Sequence, residues 1–244
     1  MAAWRLTEDY QHLAELFGSL DAVFALQGRQ LTSDPLSEVI VLEHAGISYF
    51  VKRYHGAGKH LRRYVGRPRV KAEWQNLRHF ARWGMPTARV VAYGLQRERG
   101  RFLRGAMITE GLPNTANLAE LAERNDPRLQ DREWLLNICQ QLAAATATMH
   151  AHHFVHNDLK WRNLLVDDCA RLFFIDCPGG SFWFGPMLRY RIIKDLACLD
   201  KLAKHHVPRS LRLRFFLQYR GHSRLTASDK QMVRKVLAFF EGRE

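Results

Sequence analysis

The sequence predicts an α+β fold in which an antiparallel sheet occupies the first part of the chain and helices dominate the second. Apolar and polar residues alternate in short runs between residues 39 and 109, and apolar residues recur at helical spacing after residue 131. A Gly-Leu-Pro break at 111–113 separates the two patterns. The chain has 244 residues and is 47% hydrophobic, which is enough to bury a core in each part. We therefore expect a first domain at 1–110 and a second at 111–244.

The first domain is expected to open with a helix and to continue as strands. Residues 39–42 and 47–52 alternate, and the Glu-His-Ala-Gly segment between them favours a tight turn, so we predict a hairpin. A second hairpin is predicted from the runs 89–93 and 102–109, which flank an Arg-Gly-Arg turn.

A helix is predicted between these hairpins, at about 68–83. Leu77 and Phe80 follow Glu73 by four and seven positions, so this glutamate shares their apolar face. That position is not typical of a solvated surface carboxylate.

The second domain is expected to be mainly helical. After Asp131 the apolar residues step by 3, 4, 3 and 4 positions, which predicts a long amphipathic helix. These residues are Leu135, Ile138, Leu142, Ala145 and Met149. A strand-like run at 172–175 ends at Asp176, and the chain from Arg191 is helical again.

The most informative segment is residues 156–163, which read His-Asn-Asp-Leu-Lys-Trp-Arg-Asn and are followed, after a further strand, by Asp176. This is the spacing of a kinase catalytic loop, H-x-D-x-x-x-x-N, with a second aspartate behind it. On these residues the chain resembles the protein-kinase-like superfamily, whose two-lobe fold has an antiparallel-sheet N-lobe and a mainly helical C-lobe. The local sequence is most similar to that of the bacterial lipopolysaccharide core sugar kinases that phosphorylate Kdo or heptose.

The resemblance implies a role for three polar residues of this segment and for Asp176. Asp158 would orient the acceptor hydroxyl and accept its proton, and Lys160 would contact phosphate. Asn163 and Asp176 would hold Mg²⁺, a hard ion that prefers oxygen ligands.

Two further residues have a structural interpretation. His156 is expected to be a buried imidazole that supports the loop, because Asp158 already supplies the catalytic group. Asp195 either braces the catalytic loop, as the resemblance implies, or lies at the surface.

The first domain would supply the nucleotide contacts. By the resemblance, Lys52 would hold the α and β phosphates of ATP, with Glu73 as its helical partner. The alternative is a strand-end lysine and a helix glutamate that are both solvated. Backbone groups of the segment from Glu110 to Leu112 would contact the adenine edge between the lobes.

The chain departs from the protein-kinase pattern at two places. The hairpin near 28–37 offers one glycine where protein kinases have G-x-G-x-x-G. Cys177 and Pro178 follow Asp176 in place of Phe and Gly, and no Ala-Pro-Glu segment follows. A long phosphorylatable activation loop therefore has little room, which argues against a regulated protein kinase.

The formal net charge is +13, which predicts an anionic partner. Eight basic residues and no acid lie between residues 52 and 71, and this basic run would suit an anionic inner-leaflet membrane surface. They are Lys52, Arg53, Lys59, Arg62, Arg63, Arg67, Arg69 and Lys71. For each of these residues, the alternative is a solvated loop.

The expected location is the cytoplasm, because residues 1–20 have no secretory pattern. If the basic run binds the inner membrane, the protein would be peripheral to that membrane.

The leading hypothesis is a kinase that uses ATP and Mg²⁺ to phosphorylate a heptose or Kdo hydroxyl of the lipopolysaccharide inner core, with the lipopolysaccharide core or lipid A precursor as its partner. A protein kinase or an aminoglycoside-type small-molecule kinase of the same fold remains open. A third possibility is an inactive basic scaffold that binds nucleic acid or membrane. No nucleic acid partner is expected under the leading hypothesis, because a binding module has no need of two metal-holding groups.

Overall fold

A computed structural model describes residues 2–56, 64 and 66–242. The described chain forms two compact units. Unit 1 comprises Met1–His79 and Thr87–Pro113, and unit 2 comprises Phe80–Pro86 and Asn114–Glu244. Unit 1 is built on an antiparallel sheet and unit 2 is mainly helical, so the predicted α+β class is confirmed.

Six strands form the sheet of unit 1 in the spatial order β1-β5-β6-β4-β3-β2, with every neighbouring pair antiparallel. The strands are β1 (Ala2–Leu6), β2 (Arg29–Ser33), β3 (Ser37–His44), β4 (Ile47–Tyr54), β5 (Val90–Glu98) and β6 (Arg101–Glu110). The two predicted hairpins are β3–β4 and β5–β6. Their turns carry positive φ at both central residues, Ala45 and Gly46 in one and Arg99 and Gly100 in the other, which suits the twist of a two-residue hairpin.

The chain opens with a strand, so the predicted opening helix is wrong for the first residues. β1 pairs with β5, with Trp4 opposite Gly94, and a side chain at Gly94 would collide with the backbone of Ala3. The helical segments come next, as a 3₁₀-helix (Glu8–Leu13), α1 (Ala14–Phe17) and α2 (Leu20–Ala25). A five-residue strand at a sheet edge depends on its partner strand, which a local pattern does not show.

The two faces of β4 serve different purposes. Tyr49 and Val51 are buried in the core that the sheet forms with the N-terminal helical segments. Lys52 and Tyr54, which point to the opposite face, both reach Glu73 on α3 (Arg69–Arg82). The strand alternation thus assigns one face to packing and the other to a polar cluster.

Unit 2 contains five α-helices and five short strands among its described residues. The helices are α4 (Leu118–Glu123), α5 (Arg132–Ala151), α6 (Gly185–His206), α7 (Arg209–Arg220) and α8 (Ala227–Leu237), and the strands are β7 (Thr115–Asn117), β8 (Phe154–Val155), β9 (Leu164–Asp167), β10 (Leu172–Phe174) and β11 (Ser181–Phe182). The predicted amphipathic helix is α5, which begins after the N-cap Asp131. Within the described residues, we find no helix with both the length and the apolar character needed to cross a bilayer.

Candidate active site

The segment 156–163 forms a loop between β8 and β9 that buried side chains hold in place. Leu159 is fully buried, and the indole N–H of buried Trp161 donates to Leu199 O on α6 at 3.1 Å. These two anchors alternate with Lys160 and Arg162, whose side chains are exposed. The loop therefore presents its charged residues from a fixed backbone.

Asp195 braces the start of this loop from α6. Its Oδ2 accepts the backbone N–H of His156 at 2.7 Å, and its Oδ1 accepts that of Asn157 at 2.9 Å. The Asp195 side chain is fully buried, and His150 Nε2 lies 3.5 Å from Oδ2. The bracing interpretation is thus confirmed, and the surface alternative is excluded.

His156 is buried, as expected, and its ring lies 6.1 Å from that of Phe80 in a stacked arrangement. Neither ring nitrogen has a hydrogen-bond partner among the described residues. Burial lowers the pKa of His156, although Asp195, Asp176 and Asp158 act in the opposite direction, so the imidazole is neutral near pH 7.

Asp158 lies between two cations. Its Oδ1 is 2.6 Å from Lys160 Nζ and its Oδ2 is 3.1 Å from Arg162 Nη2. Burial alone would raise the pKa of Asp158, but the hydrogen bonds and charges of the two cations outweigh it and hold the pKa below its usual value. The carboxylate is therefore ionised near pH 7 and can accept a hydrogen bond from a hydroxyl.

Asn163 and Asp176 lie at the same end of the β9–β10 hairpin. Leu164 pairs with Phe174 in this antiparallel ladder, so the residue before β9 faces the residue after β10. Accordingly, Ile175 N–H donates to Asn163 O at 3.0 Å. Asp176 follows directly, with a left-handed φ of 53°.

These two residues offer oxygen donors of the type that magnesium prefers. Asn163 Nδ2 donates to Asp158 O at 2.8 Å, which fixes the amide orientation and turns Oδ1 away from that carbonyl. Asp176 adds a partly buried carboxylate. Among the described residues there is no cluster of three or more His, Cys, Asp or Glu side chains that could hold a metal alone. A donor set of one carboxylate and one amide suits Mg²⁺, which takes its other ligands from water and substrate phosphates.

In unit 1, Lys52 and Glu73 form an ion pair. Lys52 Nζ lies 3.0 Å from Glu73 Oε1, and the hydroxyl of buried Tyr54 donates to Glu73 Oε2. The side chains of Lys52 and Glu73 are 17% and 3% exposed, which excludes the alternative of two solvated residues. Both carboxylate oxygens of a buried glutamate are thus satisfied, one of them by the lysine.

The segment from Glu110 to Leu112 ends the sheet. The Glu110 carboxylate accepts the hydroxyl of Tyr10, and burial together with this contact raises the pKa of Tyr10 to about 12. The backbone N–H of Glu110 donates to Arg89 O at 3.0 Å, and that of Gly111 to Ser48 O at 2.7 Å. These bonds fix the backbone of the segment. The Glu110 side chain, in contrast, contacts Tyr10 in the core of unit 1.

Two of the described residues of the basic run are used inside unit 1. Lys52 and Arg53 both make buried ion pairs, since Arg53 pairs with Glu38 at 3.0 Å and also donates to Val23 O and Leu26 O. Lys59, Arg62 and Arg63 lie outside the described residues. Arg53 is therefore a structural cation, contrary to the interpretation that it attracts an anionic surface or is solvated.

The hairpin at 28–37 is shaped by a carboxylate. Asp34 Oδ1 accepts the backbone N–H groups of Leu36 at 2.7 Å and Ser37 at 2.9 Å, which closes the turn between β2 and β3. Its single glycine, Gly28, is needed for close packing, because a Cβ there would lie 2.7 Å from Val41 O.

Sequence reasoning gave no role to Asn157. Its Nδ2 donates to Gly179 O at 2.8 Å, and its Oδ1 accepts from Arg191 at 3.2 Å. Its carbonyl oxygen accepts from Lys194 Nζ at 3.0 Å. Asn157 has a φ of 65°, a left-handed conformation that asparagine tolerates better than most residues. This residue therefore ties the loop at 156–163 to α6 and to the segment after Asp176.

The fold and the loop geometry define a protein-kinase-like protein. The solved structure of WaaP in complex with acyl carrier protein matches with a TM-score of 0.77 and 24% identity, over 99% of this chain and 97% of that chain. In all, 1900 solved chains match, so the fold alone does not specify an acceptor. A comparison with curated proteins gives no match.

The family follows from a second comparison. The model of the lipopolysaccharide kinase (Kdo/WaaP) family matches residues 21–180, about two thirds of the chain. This range includes Lys52, Glu73, Asp158, Asn163 and Asp176. The chain therefore belongs to the lipopolysaccharide kinase family, which confirms the predicted relationship and makes the protein a kinase.

Proposed function

We propose that this kinase transfers the γ-phosphoryl group of ATP to a heptose or Kdo hydroxyl of the lipopolysaccharide inner core, with Mg²⁺ as its metal. The observation that supports this most is the environment of Asp158, a braced and ionised carboxylate with two cations at 2.6 and 3.1 Å and Asn163 beside it. Phosphoryl transfer requires positioned groups and charge neutralisation more than covalent chemistry, and this loop supplies both.

Asp158 is assigned to the acceptor hydroxyl. The sugar oxygen forms the new bond to the γ-phosphorus while the bond from that phosphorus to the β–γ bridging oxygen breaks, and the hydroxyl proton passes to Asp158. The lowered pKa makes Asp158 a weak base, so its main effect is to orient the hydroxyl until proton transfer late in the reaction.

The two cations of the loop would have different tasks. The Lys160 side chain would separate from Asp158 and then neutralise charge on the transferred phosphoryl group. Arg162, which sequence reasoning did not include in the site, is 61% exposed and can turn to an anionic substituent of the acceptor. A carboxylate or phosphate beside the reacting hydroxyl would be such a substituent.

The remaining site residues are assigned to the metal and the nucleotide. Asn163 Oδ1 and the Asp176 carboxylate would hold Mg²⁺, which neutralises phosphate charge when bound. Lys52 would contact the α and β phosphates, with Glu73 and Tyr54 keeping it charged and in place. Backbone groups from Glu110 to Leu112 would contact adenine.

The location follows from the substrates. ATP is available in the cytoplasm, so we propose that the reaction occurs there, at an inner leaflet to which a net charge of +13 is attracted. The exposed cations of the basic run would contribute to this attraction, and buried Arg53 would not.

An acyl carrier protein is a second proposed partner. The matched WaaP structure is a complex with such a protein. In this chain, one observation favours the same partner. Unit 2 holds a cavity of about 250 Å³ that is lined mainly by apolar side chains of α5 to α8. Its charged lining residues are Arg209 and the pair Asp200 and Arg212, whose closest N–O distance is 2.7 Å. An apolar cavity of this kind suits an acyl chain. Intact-mass analysis of acyl carrier protein recovered with the wild type, against a variant with Ala203→Trp in the cavity, tests this partner.

The function is tested by phosphate transfer to purified core oligosaccharide. Wild-type protein with ATP and Mg²⁺ should add the mass of one phosphate group, and Asp158→Ala should reduce the rate by about 10² to 10⁴. Asp168→Ala is the control, because the Asp168 side chain is 72% exposed and outside the loop. A peptide and an aminoglycoside are offered in parallel. Equal transfer by Asp158→Ala, or transfer only to one of the other acceptors, would refute the proposal.

A further inference from the structure

An open groove of about 540 Å³ lies on unit 1 and is lined by residues that have no part in the proposed transfer. It runs between β1, β5 and the start of α3. Four of its lining residues are cations, and the described residues that line it include no acid. These cations are Arg5, Arg67, Lys71 and Arg97.

The floor of the groove is aromatic and rigid. Its rings are those of Trp74 on α3 and Tyr93 on β5. The rings of Trp74 and Tyr93 are 4.8 Å apart, and the Tyr93 hydroxyl accepts from Arg78 at 3.1 Å. The flat apolar surface is thus held in place by the protein before any ligand binds.

The N-terminus of α3 adds to the positive potential. The first backbone bond of this helix runs from Ala72 N–H to Pro68 O, so the amides before Ala72 point out of the helix end. The first turn holds Arg69 and Lys71 and no acidic residue. Cations at this end oppose the helix dipole, which an external anion would offset.

The nearest cations remain available to a ligand. Among the described residues, no carboxylate lies within ion-pair distance of Lys71. Arg5 is 64% exposed, and its partner Glu8 is 3.9 Å away and 93% exposed, so that contact is weak.

We propose that this groove binds the phosphate ester of a sugar or of a lipid headgroup, with the phosphate at Lys71 and the helix end and the organic part against Trp74 and Tyr93. Three features combine here: several cations, a helix N-terminus and an aromatic floor. A phosphate dianion matches the charge, and arginine forks match its oxygens. The groove would hold an anionic glycolipid by a group other than the one that is phosphorylated.

Isothermal titration of the full chain without ATP or Mg²⁺ tests the site, so its result does not depend on the proposed kinase reaction. The probes are glucose 1-phosphate, neutral glucose, and phosphatidylcholine vesicles with or without phosphatidic acid. Saturable binding of glucose 1-phosphate but not glucose supports a sugar phosphate. Binding of only the vesicles with phosphatidic acid supports a lipid headgroup.

Lys71→Glu is the decisive variant. It should weaken binding of whichever probe binds by about tenfold or more, because it removes a charge-assisted contact and adds repulsion. A carboxylate in the first turn also suits the helix dipole, so the unfolding temperature should not fall. Arg5→Glu on β1 is a second variant with the same expected loss.

Arg29→Glu is the matched control, since Arg29 is an exposed cation of unit 1 outside the groove. It should leave the affinity almost unchanged. Equal loss in Arg29→Glu and Lys71→Glu would overturn the proposal, as it would show attraction to net charge alone. Failure of both glucose 1-phosphate and the phosphatidic acid vesicles to bind would overturn it as well.

Discussion

Asp195 and His156 are 39 residues apart in the chain, yet the buried carboxylate accepts the His156 backbone N–H at 2.7 Å. A second bond from Asn157 N–H to the other oxygen makes this a two-point attachment of the catalytic loop to α6. The position of Asp158, one residue further, thus depends on a helix that contains none of the proposed catalytic groups.

Asp195→Asn should therefore separate positioning from binding. An amide offers one acceptor oxygen, so one of the two N–H groups would lose its partner and face a donor instead. We expect kcat to fall by about 10²-fold, with KM for ATP little changed, and the free energy of unfolding to fall by about 1–3 kcal/mol. Steady-state kinetics and denaturant unfolding measure the two effects. Asp200→Asn, on the same helix, removes the ion pair with Arg212 and should leave kcat intact.

The pH profile should report the cations around Asp158. Its pKa is held below the ordinary value by Lys160 and Arg162, so the active ionised form persists to lower pH than that of an isolated aspartate. Arg162→Ala should raise this pKa and move the acidic limb of kcat/KM to higher pH. Arg171→Ala is the control, because Arg171 forms the same type of i,i+4 ion pair with Asp167. This variant should leave the acidic limb of kcat/KM unchanged. An unmoved limb in Arg162→Ala would contradict the assignment.

The Lys52–Glu73 pair allows stability and catalysis to be tested separately. Lys52→Met should lower kcat/KM for ATP by about 10²-fold or more and also destabilise unit 1, because it leaves a buried carboxylate without its cation. Adding Glu73→Gln should recover much of the stability, since both charges are then removed. Activity should remain low in the double variant. Recovery of activity would show that the pair serves folding alone.

Arg53→Met, unlike Lys52→Met, should change stability alone. The guanidinium satisfies Glu38 and two carbonyl oxygens in the core, so its loss should cost about 3–5 kcal/mol in the free energy of unfolding. KM for ATP of the folded fraction should not change. A large increase in KM would place Arg53 in nucleotide binding, contrary to its position on the packing face of β4.

The metal assignment predicts a change in magnesium dependence. Asp176→Asn should raise the Mg²⁺ concentration for half-maximal transfer, because a neutral amide binds a hard cation more weakly than a carboxylate does. Activity measured against Mg²⁺ at constant ATP gives this value. Asp168→Asn, which alters an exposed carboxylate, is the control. An identical dependence in Asp176→Asn and the wild type would remove Asp176 from the metal site.

Local patterns predicted much of the fold because the relevant signals are short. The Ala45-Gly46 turn, the apolar steps of α5 and the spacing from Asp158 to Asn163 each lie within a few helical turns or one hairpin. The apolar face that Glu73 shares with Leu77 and Phe80 argues against a solvated carboxylate, and the family resemblance supplies Lys52 as its partner.

Long-range contacts account for most of what the sequence did not predict. Nothing near Ala2–Leu6 indicates its pairing with β5, and nothing beside Arg53 indicates that its guanidinium is buried beneath α2. The groove at Lys71 likewise combines residues from β1, β5 and α3. Such sites depend on which elements become neighbours, and a pattern within one element does not contain that information.

Asn157 has a consequence for how the cell controls this kinase. Many protein kinases switch on when a newly added phosphate attracts an arginine and orders a mobile loop. Here the neutral side-chain amide of Asn157 already fastens the segment at Gly179. From α6, Arg191 donates to that amide and Lys194 donates to the backbone carbonyl of Asn157. The segment is thus held in place by contacts that need no added phosphate group. Phosphatase treatment should leave the specific activity of the kinase unchanged.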